Sequence, residues 1–198
     1  MKIKVCGLRD PQNICDVLSL GPDYVGFIFY ARSPRNALLL PPESVAALHG
    51  GKGVGVFVDS PAAYIHDICS LYRLSAVQLH GSESPSFCSE LSASGLTVFK
   101  AVGISESVDW HEVAAYEGCV DMFVFDTLSS SHGGTGRKFD WSVLSRYPLS
   151  VPYLLSGGIA PGDDIPDLPG LAGVDLNSRF EDAPGMKNIE KLRKFFEK

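Results

Sequence analysis

Residues 122–127 read Met122-Phe123-Val124-Phe125-Asp126-Thr127, four apolar side chains in a row followed by a carboxyl and a hydroxyl. A half-buried strand alternates apolar with polar. A short unbroken apolar run instead fits a strand covered on both faces, as in the parallel sheets of α/β folds. Seven further apolar runs recur along the chain, Ile3–Gly7, Tyr24–Tyr30, Gly53–Asp59, Ala76–Gly81, Thr97–Ile104, Tyr153–Gly158 and Gly173–Ser178, and several of them, such as VGFIFY and VGVFV, are apolar at nearly every position with no clean alternation. Each is bounded by a polar or Gly-containing turn, and amphipathic segments lie between them.

Those segments carry helix signals. Asp10 is placed to cap a first helix opening at Pro11, with Ile14, Val17 and Leu18 on one face. Ser60-Pro61 repeats the cap-and-proline signal before Ile65, Ile68, Cys69 and Tyr72, and Ser84-Pro85 does so before Phe87, Cys88 and Leu91. Near the C-terminus, Ile189, Leu192 and Phe196 share one side of a helix. Between the last two runs, Pro161, Gly162, Pro166, Pro169 and Gly170 leave room for barely two helical turns. Strands alternating with helices predict βαβ units, and eight units in 198 residues average about 25 residues each, at the compact end of the barrel range. The expected fold is a (β/α)8 barrel spanning residues 1–198 as a single catalytic domain; an open doubly wound sheet is the runner-up.

Composition narrows the partners. A formal charge of -6 argues against nucleic acid or an anionic membrane surface, but leaves room for an anionic small molecule held by backbone dipoles. Five scattered cysteines, without CxxC or zinc-type spacing, read as reduced thiols and not as a disulfide framework or a metal site. The chain enters its first strand directly and has no apolar run of membrane-spanning length, so a cytoplasmic protein is expected.

In such a barrel, chemistry gathers at the C-terminal ends of the strands. Here those ends carry Cys6-Gly7, Arg32 to Arg35, Asp59, His80-Gly81, Asp126, Gly157-Gly158 and Asn177-Ser178. The last two read either as ordinary turns or as a phosphate cup, since glycines admit close backbone approach and barrels often hold phosphate after strands seven and eight. Cys6 reads either as a core thiol or as a rim thiolate. Asp126 reads either as a loop cap or as a carboxyl with a shifted pKa. Arg35 sits in a rigid Ser33-Pro34 turn where its fork could meet a carboxylate, against the default of a solvated arginine. His80 reads as a hydrogen-bonding residue of the rim, not a metal ligand. The loop 129–137, SSSHGGTGR, reads as a flap over the substrate or as plain surface.

Taken together, KVCGLRD (4–10), GFIFYARSPRN (26–36), GVGVFVD (53–59), VQLHGSES (77–84), FKAVGI (99–104), FVFDT (123–127), GGTGRKFDW (133–141), LLSGGIAP (154–161) and GVDLNSRFEDAPGMKN (173–188) resemble, in order, the phosphoribosylanthranilate isomerases, which carry out an Amadori rearrangement in tryptophan biosynthesis. The resemblance implies a (β/α)8 barrel needing no metal or organic cofactor and acting on a small phosphoribosyl substrate. It implies Cys6 as general base, Asp126 as general acid, and Arg35 as the site for the anthranilate carboxylate. His80 is counted among the substrate-binding residues, and Gly157, Gly158, Asn177, Ser178 and Arg179 would hold the phosphate through backbone N–H groups. Association with other enzymes of tryptophan biosynthesis is a further expectation. Two departures stand out: Asn177-Ser178-Arg179 replaces the family's serines followed by a glycine, and Ala31-Arg32 replaces a proline and a lysine. The nearest enzymatic alternative is a ProFAR isomerase of histidine biosynthesis, which carries an acidic residue where this chain has Cys6. The non-enzymatic alternative is a barrel that keeps the phosphate cup for binding alone.

Overall fold

The computed structural model describes residues 1–46, 53–105, 107–128 and 138–198. Eight parallel strands close into a barrel in chain order: β1 (Lys2–Cys6), β2 (Tyr24–Ile28), β3 (Gly53–Phe57), β4 (Ala76–Leu79), β5 (Thr97–Ile104), β6 (Met122–Thr127), β7 (Tyr153–Leu155) and β8 (Leu171–Leu176). β1 pairs with both β2 and β8, so no edge is left exposed. All eight apolar runs became strands. Closure rules out the open doubly wound sheet.

A strand in this barrel has one face inside and one outside, and side chains alternate between them. Outward-facing Val5, Phe27, Val77, Phe123, Leu155 and Val174 join the large core cluster with helix residues such as Ile14, Ile65, Leu91 and Leu192. Inward-facing Val54, Ala76, Phe99, Ala101, Met122, Val124 and Leu154 form a second apolar cluster that fills the barrel. Both faces are therefore buried, which is why the runs show no clean polar alternation.

The helices cover the outside: α1 (Pro11–Leu18), α2 (Pro42–Ala46), α3 (Ala62–Tyr72), α4 (Pro85–Ala93), α5 (Trp110–Ala114) and α6 (Ile189–Phe196). Asp10 and Ser84 cap α1 and α4 as their positions predict, accepting from Asn13 N and Phe87 N. Ser60 does not cap α3. The helix begins one residue later, with Pro61 at the cap position, and the Ser60 hydroxyl turns back to the Val58 carbonyl. On α6 the buried face is Leu192 with Phe195, while Phe196 is only partly covered. No helix forms between β7 and β8, where three prolines without N–H groups cannot support the ladder. Among the described residues between β6 and β7, the helical element is a 3-10 turn, Trp141–Arg146. After β8 come a second 3-10 turn (Ser178–Phe180) and a short antiparallel hairpin, β9 (Glu181–Ala183) and β10 (Met186–Lys187). No helix among the described residues is long and apolar enough to cross a membrane.

Outside β6 and β7 lies an aromatic box. Phe125 stands 4.9 Å from Tyr153, 5.8 Å from Tyr147 and 5.9 Å from Trp110, ring centre to ring centre. All three contacts are edge-to-face. Phe125 is also the residue before Asp126, so this packing anchors the strand end that presents the carboxyl. Phe125→Ala should destabilise the fold by about 3–5 kcal/mol, read as a lower denaturant midpoint; a change below about 1 kcal/mol would show that the box does not hold the strand.

Candidate active site

Alternation decides which strand residues face the barrel interior. Val5 points outward, so Lys4 and Cys6 point in; Val77 and Leu79 point outward, so Gln78 and the following His80 point in. By the same rule Asp126 follows inward Val124, and Asp175 and Asn177 flank outward Leu176. Cys6, His80, Asp126 and Asn177 thus converge at one end of the barrel.

The thiol has room because Gly26 lies beside it in register on β2. A Cβ there would come within 2.7 Å of Cys6 Sγ. Cys6 is 4% exposed, and burial pushes its thiol up despite the attraction of Lys4. A catalytic thiol reads from sequence as one shifted down, and the site does the opposite: desolvation outweighs the nearby lysines. Lys4 itself is fully buried and bonds Asp175 Oδ2 at 2.9 Å. Burial works against its charge, but Asp175 and Cys6 together hold it protonated. Asp175 Oδ1 is buried and has no hydrogen-bond partner among the described residues.

Asp126 is raised to about 6, chiefly by burial; the Thr127 N–H at 2.7 Å opposes this, and the charge of Asp175 adds to it. Its Oδ2 lies 3.7 Å from His80 Nε2. The other ring nitrogen, Nδ1, meets Gln78 Nε2 at 2.9 Å. With the amide donating there, the ring proton sits on Nε2 and faces Asp126. Cys6 and Asp126 both feel the Lys4–Asp175 pair, which places them around one interior.

Two glycines bring the loops to these groups. A Cβ on Gly7 would lie 2.9 Å from both Arg35 Cδ and Asn177 Oδ1, so these side chains flank the residue after Cys6. A Cβ on Gly157 would collide with Thr127 and lie 3.0 Å from Asp126 Oδ1. Gly157 and Gly158 have φ of 81° and 70°, conformations that suit glycine. Ser178 and Arg179 form the 3-10 turn after β8, with Arg179 exposed. Positive φ outside glycine occurs only at Asp59 and Arg73 among the described residues, so Arg179 takes an ordinary backbone where the family's glycine would sit.

Arg35 is not a solvated side chain. Its Nε and Nη2 grip Glu181 at 2.8–3.0 Å, and Lys187 Nζ bonds the same carboxylate at 2.6 Å. No role was read from the sequence for Glu181, Lys187, Lys4, Asp175 or Gln78. For three of them a signal existed: each sits two residues before a rim residue on the same strand face, Lys4 before Cys6, Gln78 before His80, Asp175 before Asn177. The flap segment 129–137, with His132, lies outside the described residues. Among the described residues, no group of three or more His, Cys, Asp or Glu side chains is placed to hold a metal ion.

Residues 3–198 match the model of the family described as N-(5'phosphoribosyl)anthranilate (PRA) isomerase. An N-(5'-phosphoribosyl)anthranilate isomerase of Parabacteroides distasonis is 44% identical, over 100% of this chain and 92% of its own length. The crystal structure of the phosphoribosyl anthranilate isomerase from Thermotoga maritima superposes with a TM-score of 0.85 at 31% identity, covering 100% of this chain and 97% of that one. A further phosphoribosyl anthranilate isomerase structure, in complex with reduced 1-(o-carboxyphenylamino)-1-deoxyribulose 5-phosphate, matches at 29% identity and TM-score 0.82, with the same coverage. The chain belongs to the phosphoribosylanthranilate isomerase family.

Proposed function

We propose that Cys6 and Asp126 are the base and acid with which this isomerase converts N-(5-phosphoribosyl)anthranilate to 1-(2-carboxyphenylamino)-1-deoxyribulose 5-phosphate. Protonated Asp126 gives its proton to the ribose ring oxygen, and the ring opens to a Schiff base. Cys6 as thiolate removes the C2′ proton, leaving an enolamine that tautomerises to the aminoketone. One proton leaves the enzyme and one returns, so the cycle needs no redox partner. His80 orients the acid, Arg35 takes the anthranilate carboxylate, and Gly157, Gly158, Asn177, Ser178 and Arg179 offer backbone N–H groups to the phosphate. The same reading has residues 1–198 act as one catalytic domain in the cytoplasm, on a small substrate and not on nucleic acid or membrane, beside other enzymes of tryptophan biosynthesis.

The observation that carries this assignment is the raised carboxyl of Asp126, at about 6 and facing the interior that Cys6 also faces. A group tuned there can hold a proton close to neutral pH and still release it. The thiol is raised too, so the productive form, with Asp126 protonated and Cys6 ionised, is a minority. Its population is level between the two pKa values and falls outside them.

Folded Cys6→Ser and Asp126→Asn should each lose about 10²–10⁴ in turnover, followed by the fluorescence of phosphoribosylanthranilate; near wild-type turnover in either would remove that residue from the mechanism. In the wild type, kcat/KM should rise with pH through about 6 and then level. An absent inflection there would count against Asp126. Stability gives an independent check. The folded carboxyl binds its proton more tightly than the ordinary value of 3.8, so its contribution is full at low pH and lost as pH rises towards about 6. Asp126→Asn should therefore gain about 1–3 kcal/mol over wild type at pH 8 and little at pH 4, and an equal gain at both would show that this carboxyl is not the raised one.

A further inference from the structure

Arg35 and Glu181 are 146 residues apart in sequence and joined by three close contacts: Nε to Oε1 at 3.0 Å, Nε to Oε2 at 2.9 Å and Nη2 to Oε2 at 2.8 Å. Glu181 is in turn held in place. Its Oε1 accepts from Lys187 Nζ at 2.6 Å and from Gly185 N at 3.1 Å. Lys187 Nζ also donates to Asn177 Oδ1 at 2.8 Å, at the end of β8. The Arg35 side chain is 12% exposed and that of Glu181 is 4% exposed. Burial favours the neutral acid, but the bonds from Arg35 and the charge of Lys187 outweigh it and keep Glu181 ionised.

We infer that Glu181 is a positioning residue for Arg35, setting the guanidinium so that its end-on edge meets the anthranilate carboxylate. The inference rests on the reading of Arg35 given above and goes further, to what aims it. A guanidinium has two forks. Glu181 occupies the side-on fork, Nε with Nη2, which leaves Nη1 and the second proton of Nη2 for a planar carboxylate. None of the three bonds to Glu181 uses Nη1. Lys187 bonds the same carboxylate, although burial pulls its ammonium toward the neutral form against the attraction of Glu181. The remaining fork of Arg35 supplies N–H donors for an anion, inside a chain of net charge -6. Without Glu181, a long side chain would have to be ordered at the moment of binding; with it, that ordering is already done. Because the same carboxylate is tied to Asn177 through Lys187, the group that receives the aromatic carboxylate is held against the strand end assigned to the phosphate.

The test separates the two ends of the substrate. Free anthranilate and inorganic phosphate serve as competitive inhibitors of wild type, Arg35→Ala and Glu181→Gln. Both variants should weaken anthranilate about tenfold and leave the inhibition constant of phosphate within about twofold; in Glu181→Gln, KM should rise more than kcat falls. If Arg35→Ala leaves anthranilate inhibition unchanged, the reading of Arg35 fails. If Arg35→Ala weakens anthranilate but Glu181→Gln does not, the inference about Glu181 is overturned while that reading stands. If Glu181→Gln weakens both inhibitors equally, Glu181 supports the rim as a whole and the inference is likewise overturned. Should Glu181→Gln not fold, because it strands buried Lys187, the double variant Glu181→Gln/Lys187→Met carries the same comparison.

Discussion

Lys4 and Asp175 face each other in register across β1 and β8, and neither is exposed to water that could replace the other. A buried ion pair of this kind returns little net stability, because desolvation offsets the attraction. What it does supply is register. Sliding β1 by one residue would drive Lys4 into the apolar layer under the helices, leaving Asp175 alone in the interior. The strand ends would shift with it, and Cys6 would lose its place beside Gly26. The geometry of the reactive rim therefore depends on a contact made one layer below it.

The same pair shapes the charge environment above. Lys4 attracts the thiolate of Cys6 and the carboxylate of Asp126, whereas Asp175 repels both. Burial is nevertheless the largest influence on each, and it acts in the same direction on each: it favours the protonated form. A thiol and a carboxyl both shifted upward hold their protons more tightly than free groups do, and excluding water when the substrate binds favours the protonated acid further. His80 then differs from both, being held at Nδ1 by Gln78 and turned toward Asp126 through Nε2.

Much of this was legible in the chain. The eight strands announced themselves because residues buried on two faces leave long apolar runs, and the turns after those runs named Cys6, Asp126 and Asn177. The proposed roles of base and acid rest on the ordered resemblance, since position alone leaves Cys6 a core thiol as readily as a rim thiolate. Lys4, Gln78 and Asp175 went unnoticed because a single polar residue inside an apolar run looks like an interruption, when its parity in fact marks it as interior. Glu181 and Lys187 were hidden for another reason. They matter through partners such as Arg35, 146 positions away, and no local pattern records such a pairing. Ser60 carries the same signal as Ser84, a serine before a proline, yet its hydroxyl turns to the Val58 carbonyl and α3 starts one residue later, while the segment before β8 had too many prolines to form a helix at all.

The hairpin after β8 is held from a distant part of the chain. Asn13, on α1, donates to the Lys187 carbonyl at 2.9 Å and accepts from the Lys187 N–H at 2.7 Å, across 174 positions. The first helix and the last hairpin are therefore tied together, and the same hairpin carries the carboxylate that grips Arg35. A ribosome making this protein has built β1, with Cys6, long before the residues that complete its surroundings exist. Until residues 171–176 are free to pair with β1, the nascent barrel is an unclosed sheet whose thiol-bearing strand lies at an open edge. The rim is completed last, because Asn177 and Glu181 come from the end of β8 and the hairpin after it.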